Sequence, residues 1–189
     1  MDGLAVLLVI GGLLGGCTVA RACSIPEARR ETLDSLLRTM LYSVGDPNRD
    51  PNPSILIALR LARDHHLETE RRLTEQLREA AAQKLDRRED FTSGLLALYT
   101  LALTSACHNP EHLEVQGKTF NLLQVLEEKL NQEIEHIDSE SVPLSNYFQV
   151  SLDVLSLCVH HHPLTADMVR VLTDAVEGDR FTHGGEFSV

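Results

Sequence analysis

The strongest constraint on this chain is an alternation between two kinds of helical segment. Ile55, Leu56, Ile57, Ala58, Leu59, Leu61 and Ala62 leave one segment apolar on nearly every face, which reads as a helix buried all round. The next, about 67–86, has a stripe of Leu73, Leu77, Ala80 and Ala81, with Glu70, Arg71, Glu75, Arg78 and Glu79 set toward water. The pairing recurs with an apolar segment at about 92–106 and an amphipathic one at about 117–135 (Phe120, Leu123, Leu126, Leu130, Ile134). It recurs again with an apolar segment over 145–158 and an amphipathic one at 164–176 (Leu164, Met168, Val169, Leu172, Val176). The starts near 53, 92 and 145 read as an internal repeat. Buried helices alternating with outer ones predict an all-α fold, a partial α/α toroid of inner and outer helices. Three pairs form an arc, and an apolar inner helix at an open end leaves a patch to be covered.

Local signals agree. Ser24, Pro26 and Glu27 suit the start of a first helix with a capping box, followed by Leu33, Leu36, Leu37, Met40 and Leu41 at helical spacing. Gly45, Asp46, Pro47 and Asn48 end it, and Asn52 with Pro53 gives an N-cap and first position for the next. Asp138–Pro143 reads as a loop. There is no Trp, and apolar and polar residues nowhere alternate for long, which disfavours a sheet. A net charge of −11 with no basic stripe argues against nucleic acid as a partner.

The N-terminus is apolar from Leu4 to Leu14, too short to span a bilayer, and Ala20-Arg21-Ala22 is a small-x-small cleavage pattern. Residues 1–22 thus read as a signal peptide and 23–189 as a secreted, extracellular domain without membrane insertion. A competing reading takes Leu14 to Cys17 as a lipoprotein site; both lack a basic start, since Asp2 stands there. Cleavage at Cys23 removes Cys17 and leaves Cys23, Cys107 and Cys158. An odd count in an oxidising compartment means pairing with another chain, or partners outside this sequence. His160, His161 and His162 could meet a metal ion, or complement the dipole at a helix C-terminus.

Ser145–Cys158 concentrates the candidate binding chemistry. Ser145, Asn146, Tyr147, Phe148 and Gln149 put hydroxyl, amide and aromatic groups at the start of an apolar helix. A large flat ligand rimmed with amides needs both apolar faces and hydrogen bonds, so this end is expected to face a cavity. As core residues, Tyr147 and Phe148 would only pack and Gln149 would cap a turn.

Four segments together resemble the vertebrate cobalamin (vitamin B12) carrier family of transcobalamin, intrinsic factor and haptocorrin. They are Cys23–Pro26, Asp50–Leu59, Gly94–Cys107 and Ser145–Cys158, the last closer to transcobalamin. The resemblance implies an α6/α6 barrel followed by a small β-domain, with cobalamin held between them and uptake through a cell-surface receptor. It implies cobalamin contacts from Ser145, Asn146, Tyr147, Phe148 and Gln149, and from Glu186, Phe187, Ser188 and Val189. A cobalt-coordinating histidine of transcobalamin falls at Glu186, so no metal ligand is expected, although His183 is near. A family glutamine is replaced by Leu95. The resemblance also implies that Cys23, Cys107 and Cys158 pair with cysteines further along, and that this chain is an N-terminal fragment of a transcobalamin-like carrier that performs no catalysis. Two other readings are a glycosidase on an α/α barrel, which needs two carboxylates such as Asp153 and Glu186, and a helical interaction module without ligand. Asp153 is expected to be paired on a helix flank.

Overall fold

A computed structural model describes residues 27–46, 49–62, 64–183 and 186–187. The chain divides into two units, Met1–Thr39 and Met40–Val189. In the first, a 3-10 turn over Glu27–Arg29 leads into helix α1 (Arg30–Val44), which continues into the second unit. The proposed signal segment, Cys23, and Ser24 and Pro26 of the expected capping box lie outside the described residues.

The second unit carries α2 (Pro53–Leu61), α3 (Leu67–Arg87), α4 (Ser93–Ser105), α5 (Leu122–Glu140), α6 (Tyr147–Val159) and α7 (Ala166–Glu177). Helix starts follow side-chain chemistry. Asn52, Thr92, Asn121, Asn146 and Thr165 each accept a backbone N–H of the first turn, from Ser54, Leu95, Gln124, Gln149 and Met168. Each such cap is worth about 1 kcal/mol.

Helices α4 and α6 are built alike, as the repeat requires. Both have 13 residues. Both end at a left-handed residue, Cys107 (φ 63°) and His161 (φ 55°), equally far from the N-caps Thr92 and Asn146. At each end two backbone N–H groups turn back onto the helix, from Cys107 and His108 to Thr104 and Leu103, and from His161 and His162 to Cys158 and Leu157.

Helix α4 lies against α2, α3, α5 and α6, while α6 lies against α4, α5 and α7. Leu56, Leu77, Leu96, Leu103, Leu126, Leu130, Leu157 and Met168 are buried in one continuous core. Phe91 and Tyr99 add an edge-to-face contact with centroids 5.2 Å apart.

Several expectations are corrected. The segment from 117 does not begin a helix. Leu113–Val115 (β1) and Lys118–Phe120 (β2) form an antiparallel hairpin through Gln116 and Gly117, at φ 51° and 76°. Two successive left-handed residues suit a hairpin turn and no helix. Helix α5 therefore starts later and runs to Glu140, into the expected loop, before Ser141 (φ 64°) stops it. Helix α2 is not buried all round, for Leu61 is 80% exposed; contact with α3 and α4 covers the stripe of Leu56 and Leu59. Glu70 does not face water. It is buried, accepting from Arg60 Nη1 at 3.0 Å and from the His66 N–H at 2.8 Å.

The Glu70 arrangement ties three helices together, because Arg60 also donates to the Ser105 carbonyl at 2.9 Å. Burial pushes the Glu70 pKa up, but the hydrogen bonds from Arg60 and His66 and the nearby charges of His65 and Arg60 outweigh it and hold the carboxyl below its ordinary range.

Candidate functional site

The N-terminus of α6 is fixed from several sides. Asn146 is its N-cap, and its side chain accepts the Gln149 N–H at 3.0 Å. One residue earlier, the Ser145 N–H donates to Glu133 Oε2 at 3.1 Å. Glu133 Oε1 accepts from the Ser93 hydroxyl at 3.2 Å. One buried carboxylate on α5 therefore joins the first residue of α4 to the entry of α6.

Gly94 lets α4 and α6 come together at these ends. A Cβ there would stand 2.5 Å from Gln149 Cγ and 3.0 Å from Gln149 Cα. No real Cβ occupies such a space, so Gly94 is needed for close approach, in agreement with its place inside a helix where glycine is otherwise disfavoured. The Gln149 side-chain oxygen is buried here without a hydrogen-bond partner. Leu95, where the resemblance places a glutamine, is half-buried against the core.

Aromatic rings cover the same end. Phe148 meets Phe181 edge-on with centroids 5.4 Å apart, and Tyr147 meets it at 5.9 Å. The Tyr147 hydroxyl accepts from Arg180 Nη1 at 3.3 Å. Arg180 and Phe181 follow α7, whose end at Gly178 and left-handed Asp179 (φ 52°) redirects the chain. Phe181 was not singled out in the sequence as a contact, and a lone aromatic after a helix gives no signal of where it folds.

The structure therefore brings Ser145, Asn146, Tyr147, Phe148 and Gln149 together with Glu133, Gly94 and Phe181. Directly after Phe181, Thr182–His183 (β3) pairs with Glu186–Phe187 (β4), and His183 is the register partner of Glu186. Ser188 and Val189 lie outside the described residues. Two cavities in the second unit lie elsewhere. One of about 120 Å³ is lined by Val44, Asn52, Ile55, Leu73 and Gln76. Another of about 210 Å³ lies by Arg60, Glu70, Thr74 and His108. Neither includes the start of α6.

The remaining candidates separate. Asp153 is not paired on a flank. It is wholly buried on α6, and neither carboxyl oxygen has a hydrogen-bond partner. Burial above all, with the Glu133 charge adding to it, pushes its pKa up to about 7; Ser93 and Lys129 pull the other way. The Ser93 hydroxyl has one proton, and geometry gives it to Glu133. His160 Nδ1 donates to the Ser156 carbonyl at 2.6 Å and its Nε2 meets Thr104 Oγ1 at 2.6 Å, while His162 lies 3.1 Å from Glu127. Cys107 and Cys158 are exposed free thiols at the C-terminal ends of α4 and α6. Among the described residues no group of three or more His, Cys, Asp or Glu is arranged to hold a metal ion, and no helix is long and apolar enough to cross a membrane.

Amide and hydroxyl groups therefore lie beside aromatic rings at the N-terminus of α6, where Tyr147 is buried in the core and Phe148 is half-buried. The chain belongs to the eukaryotic cobalamin-binding protein family, whose profile matches residues 4–189. It is 32% identical to human transcobalamin-1 over 189 residues, covering 97% of this chain and 41% of that protein. It is 35% identical to mouse cobalamin binding intrinsic factor over 156 residues (82% and 33%), and 30% identical to mouse transcobalamin-2 over 200 residues (100% and 46%). The chain thus spans less than half the length of these relatives.

Proposed function

We propose that this chain binds cobalamin and serves a secreted vitamin B12 transport protein, with Ser145, Asn146, Tyr147, Phe148 and Gln149 on the corrin ring's edge. The family match over residues 4–189 carries the reading, and the geometry supports it. Exposed Asn146 offers an amide to the ring's amide side chains and half-buried Phe148 an apolar face, while Tyr147 is buried in the core and the Gln149 side-chain oxygen is buried beside Gly94. The contact is binding rather than catalysis. Glu186, Phe187, Ser188 and Val189 would add contacts from the segment that begins beside Phe148. On this reading residues 1–22 are a signal peptide, Cys23, Cys107 and Cys158 pair with cysteines outside this sequence, the inner and outer helices belong to an α/α toroid, and uptake uses a cell-surface receptor.

The test uses the 189-residue chain, with cobalamin at an equimolar amount, run on a sizing column and followed by the corrinoid's visible absorbance. Co-elution with folded protein is expected. A folded chain that elutes without corrinoid refutes binding by this chain. A second reading, a helical interaction module, is favoured by exposed Leu155 and Val159 on α6 and Val169 and Val176 on α7. It predicts a ligand-free dimer on the same column.

A further inference from the structure

Glu133 belongs to none of the stretches that the sequence marks as a site, yet it is only 4% exposed. A buried carboxylate is costly unless its oxygens are hydrogen-bonded. Here both are, and by donors from two other elements. Ser93 Oγ comes from the first residue of α4 at 3.2 Å, and the Ser145 backbone N–H from the entry to α6 at 3.1 Å. Neither donor is a cation. The entry to α6 is thereby fixed twice, at Ser145 by Glu133 and at Gln149 by Asn146.

The geometry points to Glu133 as the positioning residue of the ligand-contact stretch, holding Ser145–Gln149 against the N-terminus of α4, with the donor-less carboxyl of Asp153 buried near it. This role rests on the cobalamin reading of that stretch. Glu133 has two hydrogen-bond donors; Asp153 has none, and burial, with the Glu133 charge adding to it, pushes its pKa up to about 7. The groups that bear on Asp153 are Glu133 and Lys129 of α5 and Ser93 of α4. Helix α4 has no charged residue, and Asp167, Arg170, Asp174 and Glu177 of α7 are exposed. Ionising Asp153 sets a second charge against Glu133 and loosens the hold on Ser145. The pKa of about 7 places that change near neutral pH.

The test follows the Ser145 amide proton by NMR in the 189-residue chain, corrected for intrinsic exchange, alongside cobalamin retention. At pH 6 the amide should be protected, and Glu133→Gln should reduce protection by about tenfold to a hundredfold, the worth of one charge-assisted hydrogen bond. Helix content should be unchanged and cobalamin retention should fall. Protection in the native chain should decline as pH rises through 7, and Asp153→Asn should abolish that decline. If Glu133→Gln does not fold, Asp153→Asn decides, and a decline that persists in it overturns the inference. A folded Glu133→Gln chain with native Ser145 protection overturns it too. Undiminished cobalamin retention by that variant overturns the positioning role and leaves the binding function standing. Absence of retention in every form, native included, overturns the binding function, while the Ser145 amide still decides the clamp.

Discussion

Replacing Asp153 with Asn should make this protein more resistant to rising pH. Asp153 is wholly buried and its oxygens have no partner. Burial is the main reason its pKa rises from 3.8 to about 7 in the folded chain. The sign follows from linkage. A carboxyl whose folded pKa is raised contributes stability that is fully present below the unfolded value and is lost as pH rises through the folded one. Between pH 3.8 and about 7 the unfolded chain releases this proton while the folded chain retains it. At about 1.4 kcal/mol per unit, the native chain should lose about 2.5 kcal/mol from this group between pH 5 and pH 8. Asn has nearly the same shape and no charge to bury, so Asp153→Asn loses none of that. The assay is urea unfolding of both chains at the two pH values, followed by far-UV circular dichroism. The difference between the two proteins reports the Asp153 carboxyl together with its charge interaction with Glu133. The variant should gain about 2.5 kcal/mol on the native chain from pH 5 to pH 8. An unchanged difference, or one moving in the native chain's favour, refutes the reasoning.

Glu70 should show the opposite dependence. Its carboxyl is held below the ordinary value of 4.5, so its stabilisation is present above that value and disappears as pH falls through the folded one. Glu70→Gln should cost about 1–3 kcal/mol at pH 7, less than breaking a fully buried pair because the Arg60 side chain is 29% exposed; urea midpoints should show the difference shrinking by pH 3.5. Gly94→Ala should drive α4 and α6 apart, since the new methyl meets both side chain and backbone of Gln149. An overpacking cost of about 1–3 kcal/mol in thermal unfolding and weaker cobalamin retention are expected; native stability and native retention together would show that the close approach is unimportant.

The helical architecture was largely legible in the sequence, and so was the make-up of the candidate stretch Ser145–Gln149. Asn52 and Pro53 marked a helix start because capping is an interaction within one turn. The β1–β2 hairpin escaped because three-residue strands are too short to show alternation, and Gln116-Gly117 is a weaker turn signal than Asn-Gly. The stretch Ser145–Gln149 was visible as a run of hydroxyl, amide and aromatic residues. Its supports were not, because Ser93 and Glu133 are 40 residues apart and Phe181 reaches Phe148 only after α7 has turned back.

The sequence by itself determined the alternation of apolar and amphipathic helices, their caps and membership of the cobalamin-binding family, all properties of near neighbours or of ordered motifs. Tertiary structure alone decided which charged residues go inside. Glu70, Glu133 and Asp153 resemble any helical carboxylate in the sequence, but Arg60 neutralises the first, Ser93 and the Ser145 N–H hold the second, and the third is left without a donor. The cost of a buried carboxylate depends on donors brought from other helices, and only the packing of those helices specifies them.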